Sequence, residues 1–272
     1  MMKTISILGC GWLGFPFAKN LLNKGWHVNG STTSISKADT LRTAGIQPFI
    51  IDLNHIKSLD KTNFFASEYL LINIPPRHNF RQPKAYLPLM EKIESSPIKK
   101  IIFISSTSVY PTTNSIVTEA DTDNISPDDN PLLGIERLFQ KSQMQTTIVR
   151  FGGLIGEHRY PGRFFKPGKQ IAGGTTPVNL IHLDDCIQLL DAVLEKECWN
   201  EVLNGVADTH PSKQDFYHVA AQQADMPTPH FLNDATQYKI VSNEKTKKIL
   251  NLQFKHPDLI ALMKNNALWK KS

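Results

Sequence analysis

The sequence predicts an α/β chain: a doubly wound parallel sheet followed by a smaller C-terminal lobe. Three observations carry this. An apolar, β-branched run at 5–8 enters Gly9-Cys10-Gly11-Trp12-Leu13-Gly14, and a helical stretch at 17–22 follows. Further strand-length runs recur down the chain with helical stretches between them, as in successive βαβ units. Within the strand-length runs at 69–74 and 99–104, residues 69–72 and 101–104 are apolar in succession, as in strands covered on both faces.

The elements read in order. Gly25 ends the first helix and 26–30 is a second strand. A short helix at 40–44 is closed by Gly45. Residues 47–51 form a third strand, and the fourth stops at Pro75-Pro76, which cannot donate to a ladder. A helix at 84–94 leads to the fifth strand. The polar, acidic stretch 112–130 reads as a loop and a lid over a pocket. Asn130-Pro131 opens a helix, 146–150 is the sixth strand, and 179–185 leads into a helix at 186–194. Residues 201–204 are a late strand. From 211 onward the chain is mostly helical and polar.

Composition sets the class. The chain has 272 residues, 40% hydrophobic and 20% charged, which suits one large domain or a domain with a lobe. No apolar run reaches the roughly 18 to 20 residues of a membrane span, so no membrane role is expected. Residues 1–4 lead straight into the first strand, without the pattern of a leader peptide. The 3 cysteines, Cys10, Cys186 and Cys198, have no metal-type spacing, so no metal is expected, and they fit a reducing, cytoplasmic setting. Net charge is +5, but the basic residues are scattered, and the densest group, 264–271, reads as a solvated tail. Nucleic acid is therefore the least favoured partner. A small anionic molecule is the favoured one. No feature sets an oligomeric state.

The glycine motif carries the chemistry. Gly9 permits a tight turn out of the strand. Gly11 leaves room for a pyrophosphate, and Gly14 lets the helix pack closely. The helix start then faces the phosphates with its positive dipole end. An NAD site usually has an Asp or Glu about 20 residues further on, bonded to the ribose 2′-OH. Here that place holds Ser31-Thr32-Thr33-Ser34, with Lys37 after it. Hydroxyls and a lysine suit a 2′-phosphate, so NADP(H) is favoured over NAD(H). A helix N-cap cluster is the other reading of the same residues. Asp52-Leu53 ends the third strand, where an adenine would be met, and Arg77 follows the fourth. Ser105-Ser106-Thr107-Ser108 ends the fifth strand beside the expected pocket.

Taken together, Gly9-x-Gly11-x-x-Gly14, Asp52-Leu53, Ser105-Ser106-Thr107-Ser108-Val109-Tyr110, Arg150-Phe151-Gly152-Gly153-Leu154-Ile155-Gly156 and Asn179-Leu180-Ile181-His182-Leu183-Asp184-Asp185 give the chain a family likeness. It resembles the extended or atypical short-chain dehydrogenase/reductase superfamily, specifically the NAD(P)-dependent epimerase/dehydratase-like proteins. The resemblance implies a Rossmann-type, seven-stranded parallel sheet. It implies a dinucleotide-binding domain at 1–156, completed by about 177–205, and a small substrate lobe at about 157–176 and 206–272. The expected cofactor contacts are Gly9, Gly11, Trp12, Leu13, Gly14, Ser31, Thr32, Thr33, Lys37, Asp52, Leu53, Asn73, Ile74, Pro75 and Ser105. Ser106 would bond the substrate oxygen, helped by Thr107.

One departure bears on activity. These enzymes use a Tyr with a Lys four residues later, which lowers the tyrosine pKa. None of the 6 tyrosines here has such a lysine. Aligning Glu136 with the acid that follows that motif puts Asp128 at the Tyr and Leu132 at the Lys. Tyr160 is the expected substitute, on a loop at the lobe junction. Tyr110 is expected to face away from the nicotinamide. His182 and Asp185 read as structural, hydrogen-bonded at a helix start. The expected function is an NADP(H)-binding oxidoreductase or epimerase of a sugar-nucleotide or related carbonyl/hydroxyl substrate, and the alternative is a catalytically silent NADP(H)-binding sensor or scaffold.

Overall fold

The computed structural model describes residues 3–55, 63–75, 78–165, 168, 170–234, 236–265 and 269. Arg77, Pro76 and most of the basic group at 264–271 lie outside the described residues. Seven strands form one parallel sheet: β1 (Thr4–Leu8), β2 (His27–Thr32), β3 (Gln47–Ile50), β4 (Tyr69–Ile72), β5 (Lys100–Ser106), β6 (Gln145–Phe151) and β7 (Val202–Gly205). Their order across the sheet is β3-β2-β1-β4-β5-β6-β7. Ile5 lies opposite Val28 on one side and Tyr69 on the other. The order thus reverses between β1 and β4, and open α/β sheets bind their ligands at such a point.

By density of contacts the chain divides into two units. The first holds residues 1–105, 124–149 and 197–202, and the second holds 106–123, 150–196 and 203–272. This division differs from the expected lobes: 106–123, 150–156, 177–196 and 203–205 cluster with the C-terminal part.

The first unit carries α1 (Gly14–Asn23), α2 (Ile35–Thr43), α3 (Leu87–Glu94) and α4 (Pro131–Gln140). α1 turns Phe17, Ala18 and Leu21 into the core. Its first residue, Gly14, packs so close to the Gly9 carbonyl that a Cβ would collide with it. The apolar period marks only the buried face, which is why the expected helix began three residues late. α2 buries only Ala38 and Leu41, so its period is weak, and it starts five residues earlier than expected. The expected helix at 84–94 is two pieces, a 3₁₀ turn at Pro83–Tyr86 and then α3. Pro88 stands in the first turn of α3, where its missing N–H costs nothing. Tyr86, Phe103, Phe139 and Ile148 are central to this unit's apolar core. The thiols of Cys10 and Cys186 are buried, and all three cysteines are free.

The second unit carries α5 (Leu183–Glu195), α6 (Lys213–Gln223), α7 (Glu244–Leu250) and α8 (Leu259–Lys264). Three short parallel strand pairs tie it together: 153–155 with 180–182, 170–171 with 230–231, and 116–117 with 240–241. Ile155, Leu180, Phe216, Ala220, Leu259 and Met263 pack in its core. Among the described residues no helix is long and apolar enough to cross a membrane.

The stretch expected as a lid is instead fastened within this unit at 116–123. Ile116–Val117 is paired, and Thr118 and Asp121 form a reciprocal cap. The Arg150 guanidinium donates to the Thr122 hydroxyl at 3.0 Å and to the Tyr110 hydroxyl at 2.8 Å. Tyr110 in turn donates to Asn204 Oδ1 at 2.7 Å, and Asn204 N–H donates to the Glu119 carboxylate at 3.0 Å. These groups are buried. Acidity makes the segment read as solvated, but its Thr122 hydroxyl and Glu119 carbonyl accept from a buried arginine distant in sequence, and its Glu119 carboxylate accepts from Asn204.

Burial pushes the Tyr110 hydroxyl up to about 12, so it stays protonated and donating. Tyr110→Phe would leave Asn204 Oδ1 and an Arg150 N–H without that partner. Such a loss costs about 1 to 3 kcal/mol, and the expected result is a lower urea midpoint with an unchanged m-value.

Candidate functional site

A cleft of ≈ 310 Å³ opens at the carboxyl ends of β1, β2, β3 and β4. Leu8, Gly9, Cys10 and Gly11 line it after β1, and Ser31, Thr32, Thr33 and Lys37 line it from β2 into α2. Ile51, Asp52, Leu53 and Asn54 contribute after β3, and Ile74, Pro75 and Phe80 after β4. The volume falls at the lower end of the usual range for ligand pockets.

The glycine turn shapes this cleft. Gly9 has φ +105°, and a Cβ there would collide with the Asn73 carbonyl. Its N–H donates to the Ser31 hydroxyl at 2.8 Å, and the Cys10 N–H donates to the Ser31 carbonyl at 3.0 Å. The Asn73 amide donates to the Gly9 carbonyl at 3.0 Å. A Cβ on Gly11, by contrast, would meet nothing within 4 Å. That open side is the surface a ligand could approach.

The charge around the cleft is mixed. Neither α1 nor α2 has a side-chain cap or an acidic residue in its first turn. Two positive helix ends are therefore uncompensated by their own first turns. Lys37 adds an exposed ammonium in the first turn of α2. Ser34, from the hydroxyl cluster also read as a helix N-cap, is the N-cap residue of α2 but makes no side-chain cap, and its hydroxyl pairs with Ser36 at 2.8 Å. Asp52 is the acid of the cleft. The Asn54 N–H first, then His55 and the Asn54 amide, hold its carboxyl below the ordinary range. Burial pushes the Cys10 thiol up to about 12, so this wall residue is an inert thiol.

Ten of the expected cofactor contacts line the cleft and five do not. Leu13 is buried in the core, and Gly14 packs against the glycine turn. Asn73 holds Gly9 from behind. Ser105 is buried and donates to the Glu136 carboxylate on α4. Trp12 is half-buried beside the turn. Of these five, Gly14 and Asn73 hold the glycine turn, and none lines the cleft. Sequence reasoning missed Leu8, Cys10, Ile51, Asn54 and Phe80. The first four neighbour residues that the strand ends already pointed to. Phe80 carries no local signal and is set by its edge-on contact with Tyr86 at 5.7 Å.

The residues expected to react belong to the second unit. The Ser106 hydroxyl accepts the Ser108 N–H at 3.1 Å and caps a short 3₁₀ turn, and Thr107 is buried in that turn. The Tyr160 hydroxyl donates to the Ala220 carbonyl at 2.9 Å, and the ring packs edge-on against Trp269. Burial raises the Tyr160 pKa, so its hydroxyl is a poor base where it stands. At the aligned Tyr and Lys positions, Asp128 is exposed and Leu132 packs on the first unit's apolar core.

His182 caps α5: its Nδ1 accepts the Asp184 N–H at 3.2 Å. The buried Asp185 carboxylate accepts the Lys255 N–H at 2.7 Å and the His256 N–H at 3.2 Å. Both are hydrogen-bonded at the start of α5, as their place in the sequence predicts.

The sheet order, the glycine turn at the switch point and the cleft at the carboxyl edge define the class. The fold is that of the epimerase/dehydratase-like proteins of the short-chain dehydrogenase/reductase superfamily. A functionally unknown conserved protein from Silicibacter pomeroyi aligns with a TM-score of 0.81 at 20% identity, over 98% of each chain. A UDP-glucuronic acid 4-epimerase from Bacillus cereus in complex with NAD aligns with a TM-score of 0.72 at 20% identity, over 96% of each chain. A short-chain dehydrogenase/reductase superfamily protein from Agrobacterium tumefaciens with bound NAD gives 0.76 at 17% identity, over 97% of this chain and 96% of that one. No family model matches the chain. The Escherichia coli K12 protein YeeZ is 30% identical over 278 residues, 96% of this chain and 99% of YeeZ. The chain belongs to the YeeZ family.

Burial first, with His256 and Lys255 nearby and Asp184 opposing, pushes the His182 imidazole down to about 4 from the ordinary 6.5. A proton therefore binds the unfolded chain more tightly than the folded one. The stability that follows is fully present above about pH 6.5 and is lost as pH falls toward 4, by roughly 3 kcal/mol. His182→Gln should flatten this pH dependence in urea melts between pH 7.5 and 4.5. It should also cost about 1 kcal/mol at neutral pH through the lost cap.

Proposed function

We propose that the cleft holds NADP(H), and that the chain is an oxidoreductase or epimerase acting on a carbonyl or hydroxyl group of a sugar nucleotide or a related small molecule. The observation that carries this reading is the glycine turn at the switch point, with Thr32, Thr33 and Lys37 and no carboxylate at the end of β2. Ser31 engages the N–H groups of Gly9 and Cys10, so the pyrophosphate falls to the segment from Gly11 into α1. Ser31 serves this turn, which leaves Thr32, Thr33 and Lys37 for a 2′-phosphate. Asp52, Asn54 and Phe80 suit the adenosine end, with polar edges and an aromatic wall. Ile74 and Pro75 add an apolar surface. Proteins of this fold that bind NAD, UDP-glucuronic acid 4-epimerase among them, support a dinucleotide and a sugar-nucleotide class of substrate.

A bound nicotinamide would supply the hydride chemistry. The chain would supply hydrogen bonds to the substrate oxygen from Ser106 and Thr107. Tyr160 is left out of this reading, because Ala220 takes its hydroxyl. A second reading, a catalytically silent NADP(H) sensor or scaffold, is favoured by one feature of the sequence: none of the 6 tyrosines is followed by a lysine four residues later.

Fluorescence titration tests the cofactor. NADPH should bind more tightly than NADH, and Lys37→Ala should weaken NADPH by about tenfold or more while leaving NADH nearly unchanged. Thr33→Asp should reverse the preference by setting a charge against the 2′-phosphate. Equal affinities for the two dinucleotides would overturn the choice of NADP(H).

Gly11→Val tests the site. The fold has space for the side chain, so the melting temperature should hold, while NADPH binding is lost. Turnover decides between the two readings. General acid–base help is worth about 10² to 10⁴ in rate, so reduction of sugar-nucleotide ketones should be slow and should fall further in Ser106→Ala. NADPH binding with no turnover would favour the sensor.

A further inference from the structure

In the second unit, His182, Asp184 and His256 bring two imidazole nitrogens and a carboxylate oxygen within 4.8 Å of one another. We propose that this trio binds one divalent transition-metal ion, for which zinc suits the donor set. The spacing carries the inference. His182 Nδ1 lies 3.5 Å from Asp184 Oδ2, and His256 Nε2 lies 3.2 Å from the same oxygen. A tetrahedral ion with bonds of about 2.0 to 2.1 Å has ligand-to-ligand edges of roughly 3.3 Å. Two of the three edges already bracket that length. The third, between the imidazole nitrogens, is no longer than 4.8 Å.

Each ligand is held by contacts that do not need the ion. His182 ends the strand at 180–182, paired with 153–155, and Asp184 stands in the first turn of α5. His256 is anchored through its own N–H and that of Lys255, both donated to the buried Asp185 carboxylate. Outer partners of this kind tune metal sites. The ion would take the place of the Asp184 N–H on Nδ1 and of the His256–Asp184 hydrogen bond. The Asp184 side chain is 41% exposed, which leaves a fourth position for water. Such an ion would fasten the start of α5 to the segment at 255–256. It is a structural tie and is independent of the dinucleotide reading.

The test uses the full chain, stripped with a chelator and titrated with Zn²⁺ by calorimetry and with Co²⁺ by visible absorption. One equivalent of Zn²⁺ should bind and raise the melting temperature, and Co²⁺ should give four-coordinate bands. Asp184→Asn and His256→Ala should each weaken Zn²⁺ by more than the roughly 10- to 100-fold that loss of an outer partner costs. Circular dichroism should show both variants folded. His230→Ala, at an exposed histidine elsewhere, should bind as the parent does. Absence of Zn²⁺ binding by the parent would overturn the proposal. So would equal affinity in a folded Asp184→Asn or His256→Ala chain.

Discussion

The first unit depends on how its glycine turn is held. Gly9 turns the chain with a positive φ that L side chains rarely adopt, and it does so against the backbone of Asn73. Three hydrogen bonds then fasten that turn from two sides. Ser31, at the end of β2, takes the N–H groups of Gly9 and Cys10, and Asn73, just past β4, gives its amide to the Gly9 carbonyl. The strands on either side of β1 thus position the loop, and the cleft exists where their ends diverge. This explains why hydroxyls at the end of β2 are unequal. Ser31 is buried and belongs to the turn, whereas Thr32 and Thr33 follow it along the cleft wall.

Much of this was legible in the sequence because it is local. A strand, a glycine motif and a helix follow one another within twenty residues, and each later strand ends in its own turn signal. The sheet and the cleft-lining residues at 9, 11, 31–33, 37, 52, 53, 74 and 75 follow from that grammar. The misreadings have a common physical origin. Ser105 looked like a cofactor contact because it ends a central strand, yet its hydroxyl faces Glu136, thirty-one residues later. Residues 116–123 looked solvated because they are acidic, yet Arg150 and Asn204 claim them. Partners that distant leave no periodic trace. Phe80 entered the cleft unannounced for the same reason, through an aromatic contact rather than a motif.

The second unit shows what a buried cation does to its surroundings. The Arg150 guanidinium is almost fully buried and lies over the Tyr110 ring, 4.9 Å from its centre. An arginine keeps its charge in any such place, so the neighbours must adapt. They supply a phenol oxygen, a threonine hydroxyl and the Glu119 carbonyl. The Glu119 carboxylate, raised in pKa by its burial, is itself satisfied by the Asn204 N–H. A network of this kind is costly when one member is missing and rigid when all are present. Tyr110 is thereby fixed as a structural donor. It cannot also be the base that the missing tyrosine would have been.

That leaves the proton-transfer question at α4. The helix begins at Pro131 with Asn130 as its cap, the Asn130 Oδ1 accepting the Leu133 N–H at 3.2 Å. Leu132 rests on the apolar cluster that includes Tyr86 and Phe139, and Glu136, one turn on, is fully buried against Ser105. A lysine at 132 would have to lay its stem along that cluster and carry its ammonium out to water, which the side chain permits only where a path is open. Asp128, before the helix, is exposed and acidic, and it cannot offer the hydroxyl of a phenol. The two positions therefore differ, Leu132 being partly buried against the apolar cluster and Asp128 exposed. Under the proposed function, proton transfer would fall to other groups, for which Ser106 and Thr107 at the end of β5 are the proposed hydroxyls.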